Sequence, residues 1–245
     1  MALQLPPNAG PARDQAILHY VLGNNYEHEW SRITSTHEGR TAEFWVSSDA
    51  LKIEGVRVNL NARLQQDIAD FLDGSLLTAK LCDLMWAQRE ITIPPFPRSI
   101  TSSTEAMLKH SLAIDTYLSN RFDSLGDGVK STVGKTWVID NSVSAKKAMN
   151  YGWHFQGSSF QGIQGEPTAS NLKDEDGNLV RLIQGRGTRH GPSHDDYSQV
   201  GLFVSRECRV DGQVFDLHDL LNSTTLAPLA SHQGVVRVLR QPKET

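Results

Sequence analysis

Long hydrophobic runs are missing from this chain: nothing approaches the roughly 18 consecutive apolar residues of a membrane-spanning helix. Met1 to Arg13 has neither the basic start nor the apolar centre of a signal peptide. The sequence therefore reads as soluble, with no membrane span and no secretory signal in the stretch given. A surplus of one charge is missing too. With 24 basic and 28 acidic residues the net charge is −4, which gives nucleic acid or an anionic surface no general attraction. Cysteine is scarce, and Cys82 and Cys208 lack the close spacing of a zinc knuckle or a redox pair. Free thiols or one long-range disulfide remain. The glycine fingerprints of cofactor folds are absent: Gly185-Arg186-Gly187 is isolated, and there is no Gly-x-Ser-x-Gly elbow. No linker rich in Pro, Gly and Ser divides the 245 residues, so one domain is expected over 1–245.

What is there has a clear order. Pro6, Pro7 and Pro11 make residues 1–13 an irregular lead-in, after which Asp14 caps a short helix to about Leu22. Trp30 to Ile53 reads as extended, with a hairpin turn at His37-Glu38-Gly39-Arg40, and Val56 and Val58 begin a further strand. A helical part follows over about 61–122. Its first helix starts at Asn61 and stops at Asp73-Gly74, its second starts near Thr78, and its third starts at Ser103-Thr104. From about 130 to 240 the chain turns strand-rich. Thr136 to Ile139, Asn150 to Phe155, Leu179 to Ile183, a strand through Val200, Leu202 and Val204, and Val235 to Leu239 are expected as strands. Ser144 to Met149 and Leu217 to Leu221 are expected as short helices, and Gly157 to Gly177 as a long surface loop. Strands, then helices, then strands imply an α+β fold, a helical cluster packed on a mostly antiparallel sheet.

Polar chemistry is concentrated between Gln184 and Ser198, where Arg189, His190, His194, Asp195 and Asp196 sit on a glycine-broken loop. A second concentration is Tyr151-Gly152-Trp153-His154. Strand alternation puts Tyr151 and Trp153 on one side and Gly152 with His154 on the other. Together these supply the parts of an acyl-bond hydrolase. Ser198 is the candidate nucleophile, His154 or His190 the base, Asp196 the orienting carboxylate, and Gln184 or Lys135 the anion stabiliser. That assignment requires His154 and the 190–198 loop to converge. It needs no cofactor. The competing readings use the same residues: zinc held by His154, His190, His194 and Asp196 from loops, since Gly191-Pro192 rules out a helical His-Glu-x-x-His. A papain-like use of Cys82 is a further option. In the last, Tyr151, Trp153 and Tyr197, with Arg189, form a platform that binds a sugar or a peptide without turnover.

The Tyr151 to His154 step, followed by His190 and by Asp196-Tyr197-Ser198, resembles a pattern in a little-characterised group of bacterial proteins. The resemblance runs over most of the chain and implies no particular activity. The reading that emerges is a hydrolase of amide or ester bonds acting on a peptide-like, polymeric or small-molecule substrate.

Overall fold

The structure, a computed structural model, describes residues 3–98, 101–156, 168–173 and 179–243, with side chains from 157 to 180 left aside. Its elements run in this order: α1 (Pro11–Leu22), β1 (Trp30–His37), β2 (Arg40–Ser47), β3 (Lys52–Ile53), β4 (Val56–Arg57), α2 (Ala62–Phe71), β5 (Gly74–Leu76), α3 (Ala79–Ala87) and β6 (Ile91–Thr92). Then come α4 (Thr104–Ser119), β7 (Lys130–Ser131), β8 (Lys135–Val138), β9 (Met149–Phe155), β10 (Thr168–Lys173), β11 (Leu179–Gly187), β12 (Phe203–Val210), β13 (Gln213–Asp216) and α5 (Leu217–Asn222). This is an α+β fold with two main antiparallel sheets. One has the order β1-β2-β12-β13, with β5 also paired to β12, and the other the order β10-β11-β9-β8.

Local chemistry explains most boundaries. Asn61, Thr78 and Ser103 each accept a hydrogen bond from a backbone N–H in the first turn of the following helix, a cap that stabilises by about 1 kcal/mol. The β1–β2 hairpin closes at His37↔Arg40, with Glu38 and Gly39 both at positive φ, and Asp211 with Gly212 does the same between β12 and β13. α1 differs from expectation. It starts at Pro11 after Gly10, so Asp14 lies in its first turn rather than capping it, because proline suits a first helical turn whose N–H groups have no partner anyway.

Four other expectations fail where tertiary pairing decides. Val235 to Leu239 is irregular: among the described residues it pairs with no strand, and Val236 N–H donates to the Leu221 carbonyl instead. Ser144 to Lys147 closes a turn on itself rather than a helix. Thr168 to Lys173, inside the expected long loop, is strand β10, while the rest of that loop lies outside the described residues. The strand expected from Val200 begins at Phe203, and Val200, Leu202, Phe203 and Val204 are all buried rather than alternating. Both cysteines are free.

One continuous apolar core joins Ile17 of α1, Phe44 of β2, Ile68 of α2, Met85 of α3, Ile114 of α4, Tyr151 of β9 and Phe203 of β12. Burial of side chains of this size contributes about 1.5–3 kcal/mol each. Among the described residues no helix is long and apolar enough to cross a membrane.

Candidate functional site

The four-stranded sheet decides where the polar residues go. In β8, Lys135 pairs with Gly152 and Thr136 with Tyr151 of β9. Neighbours along a strand leave opposite faces, and partners across a ladder share one. Thr136 accepts from the Gln65 side chain of α2, so Tyr151 shares that face, while Lys135 serves the other. Beyond Tyr151 the alternation breaks. Gly152 and Trp153 have φ of 116° and 61°, a left-handed pair that is uncommon for a bulky residue. It returns His154 to the side of Tyr151 and sends Trp153 to pack with His110 of α4 and with Tyr197.

On the α3 face, Tyr151 Oη donates to Asp83 Oδ1 at 2.7 Å, His154 Nε2 bonds the same oxygen at 2.8 Å, and His232 Nε2 bonds Oδ2 at 2.7 Å. Burial raises the Asp83 carboxyl, but its bonds to His154 and His232 hold it below the usual carboxylate range. Burial and then Asp83 push the Tyr151 phenol far up, which keeps its proton in place. His154 is buried and stacks on Trp86, whereas the His232 side chain is 49% exposed. Asp83 and His232 were not legible in the sequence as site residues. Asp83 sits in the apolar run Leu81 to Trp86, where an isolated buried carboxylate is the only signal that it has partners.

On the other face, Lys135 Nζ donates to Asp196 Oδ2 at 2.7 Å, and both side chains are nearly buried. Asp196 Oδ1 accepts from the Ser198 hydroxyl at 2.7 Å and from its backbone N–H at 2.9 Å. Burial raises Asp196, and Lys135 and Ser198 together pull it below the usual range. His194 Nε2 lies 3.9 Å from Asp196 Oδ2, and the exposed His190 stacks on His194, with ring centres 3.7 Å apart and planes 7° from parallel. Burial lowers both imidazoles. Lys135 adds to this at His190, and the facing His190 ring adds to it at His194. Both shifts favour the neutral imidazole. Gly134 lets this loop approach: a Cβ there would meet the Ser198 carbonyl at 2.5 Å, where Lys135 N–H donates to that same oxygen. Alongside, the buried Asp195 takes Arg13 at 2.6 Å and Asn59; its burial raises it to about 7 against the pull of Arg13.

The expected constellation is thus divided. Lys135, His190, His194, Asp196 and Ser198 come together, with Arg189 exposed beside His190. His154 does not join them, because the left-handed pair turns it to Asp83. Gln184 of β11 pairs with Gly152 of β9, and its amide donates to the Gly185 carbonyl. Ser198 is 1% exposed, and its hydroxyl is given to Asp196, with no imidazole bonded to it among the described residues. That geometry makes it a support for Asp196 rather than a nucleophile. The open aromatic platform is also corrected, since Tyr151, Trp153 and Tyr197 are only 6%, 3% and 3% exposed. Cys82 is buried in α3 and its thiol is pushed well up by burial and then by Asp83, the reverse of an activated cysteine.

Among the described residues no three His, Cys, Asp or Glu side chains are gathered to hold a metal. The two imidazoles stack in nearly parallel planes, whereas shared ligation of one zinc ion requires both ring planes to contain it. Two open clefts lie elsewhere, one along α2 and the C-terminal segment at Arg63 and Arg240, the other around His28 and Lys130. Neither contains these residues; the Lys135 cluster is roofed by its own loop. No family model, no curated protein and no solved structure matches this chain.

Proposed function

We propose that this chain hydrolyses an acyl bond, amide or ester, in a peptide-like or polymeric substrate at the Lys135 face. The observation that carries the proposal is a nearly buried ammonium–carboxylate pair, Lys135 with Asp196, at whose mouth two imidazoles shifted toward the neutral form stack. A neutral imidazole is the form that takes a proton. In this reading His194 removes a proton from water as the water oxygen attacks the acyl carbon. Lys135, which has N–H groups beyond the one given to Asp196, faces the oxygen that gains charge. Asp196 steadies the imidazolium, which then returns its proton to the leaving nitrogen or oxygen. Ser198 acts only through Asp196.

The test is a screen of blocked peptides, esters and cell-wall fragments, followed by variants on the best substrate. His194→Gln and Lys135→Met are each expected to lower the rate by about 100-fold or more. Full activity in both folded variants would sink the proposal. Loss of activity on chelation, restored by zinc, would move the reaction to a metal.

A second reading has its own observation. His232, half exposed and fixed by the buried Asp83, is an Asp–His dyad of the kind that activates a water or hydroxyl. His232→Gln separates the two, because it removes that dyad and leaves the Lys135 face intact. The bacterial group with the same Tyr-Gly-Trp-His step remains part of the proposal and supplies no activity of its own.

A further inference from the structure

Asn150 of β9 is 1% exposed, and among the described residues neither its Nδ2 nor its Oδ1 has a hydrogen-bond partner. A buried amide with both ends unpaired is rare, and each unmade bond costs stability. The side chain's direction follows from the register. Asn150 lies between Trp137 of β8 and Gly187 of β11, and by alternation it leaves the sheet on the Lys135 face, opposite Tyr151. Diagonally beside it, Gly152 has no side chain, while Trp137 and the Gln184 amide, which lies over Gly187, occupy the same face on either side. The chain above is fixed at two points. His190 accepts from the Ala148 N–H at 3.3 Å at one edge, and Asp196 holds Lys135 at the other. Ala148 and Gly152, the β9 positions nearest these two points, flank Asn150, and residues 191–195 form the crossing segment between the points.

We infer that Asn150 reads an amide group of the substrate and so makes the proposed hydrolase selective for amides over esters; this rests on the reading of the Lys135 face given above. A substrate –CO–NH– offers one acceptor and one donor, the complement of Nδ2–H and Oδ1. An ester supplies the acceptor alone and leaves Oδ1 unpaired. Sites that bond a substrate N–H reject analogues without it for this reason. Entry requires the crossing segment to lift. Only its outer part, His190 to Ser193, needs to move: two long backbone bonds hold it, Ala148 N–H to His190 O and Arg63 N–H to Pro192 O, both 3.3 Å, and His190, Gly191 and Ser193 are already exposed, while Asp195 stays anchored by Arg13 and Asn59.

The experiment uses the full chain labelled with ¹⁵N at asparagine side chains. The Asn150 amide signal is identified by its loss in Asn150→Leu, a near-isosteric change. N-acetyl-trialanine amide is titrated in, and then its depsipeptide counterpart with the internal N–H groups replaced by oxygen. A saturable shift is expected with the peptide and one at least about tenfold weaker with the depsipeptide. The leucine variant should melt no lower than wild type, because it removes two unpaired polar atoms, while its peptide affinity falls about 10- to 100-fold. A purely structural asparagine, bonded through a trapped water, would instead lose stability on this change. Equal response to both probes, no response to either, or a clearly lower melting temperature of the variant would overturn the inference. An amide-selective shift with no turnover of any substrate would strike the hydrolytic reading alone, and turnover without amide selectivity would strike this inference alone.

Discussion

The two faces of the β8-β9-β11 sheet each carry a buried aspartate, and they treat it differently. On the α3 face the Asp83 carboxylate collects three side-chain partners from two parts of the chain, Tyr151 and His154 of β9, both buried, and His232 of the C-terminal segment. On the Lys135 face Asp196 is equally well held, yet its surroundings are unfinished. Among the described residues Asn150 has no partner at either end and Gln199 Nε2 has none, while the two imidazoles rest on each other; on the α3 face the one such atom beside the cluster is Trp86 Nε1. A saturated network fixes a fold and a half-satisfied one costs stability, so the polar groups left open beside the Lys135 pair are the ones the proposed site would use.

The largest effect that tests this contrast is expected from Asp83→Ala. It orphans the buried His154 and Tyr151 side chains, and a denaturant titration should show a loss of about 3–5 kcal/mol. Little change in stability accompanied by loss of turnover would exchange the roles of the two faces and favour His232 as the base. Next comes acid. His110, packed between Trp153 and Tyr197 at the base of the Lys135 face, has its pKa lowered to about 4 by burial first and then by Arg98 and Arg57. The unfolded chain binds a proton near pH 6.5 that the folded chain refuses, so this group's destabilisation sets in as pH falls below 6.5 and is complete below about 4. It amounts to about 3 kcal/mol at most. His110→Leu should flatten the fall in stability measured between those pH values; an unchanged slope would mean that His110 does not carry it. The smallest effect is Ser198→Ala. As a support for Asp196 it should cost about 1 kcal/mol of stability and lower the rate by roughly tenfold or less. A loss of several orders of magnitude in rate with the fold intact would restore Ser198 as nucleophile.

Much of the fold was legible because it is written locally. Asn61, Thr78 and Ser103 sit where caps belong, and the turns at Glu38-Gly39 and Asp211-Gly212 need only their own residues. Val235 to Leu239 has the composition of a strand, but composition does not supply a neighbouring edge, and among the described residues it pairs with none. The same division holds for the sites. His194, Asp196 and Ser198 were legible as a cluster because they are neighbours in sequence. Lys135 joins them through the close passage that Gly134 permits. Asp83 and His232 meet only through packing, Thr78 Oγ1 donating to the Ala230 carbonyl to bring the two segments together. The role expected of His154 failed on a single local event, the positive φ at Trp153, which no strand pattern announces.

That event has a meaning of its own. A strand is read in a frame of two, one residue up and the next down, and the left-handed pair at Gly152 and Trp153 acts as a frameshift within it. Through it, one seven-residue strand addresses Tyr151 and His154 to one side and Asn150 and Trp153 to the other. The two clusters are therefore not separable modules. Anyone moving either one onto another sheet must carry the frameshift along, since an ideal strand with these side chains would deliver half of them to the wrong address.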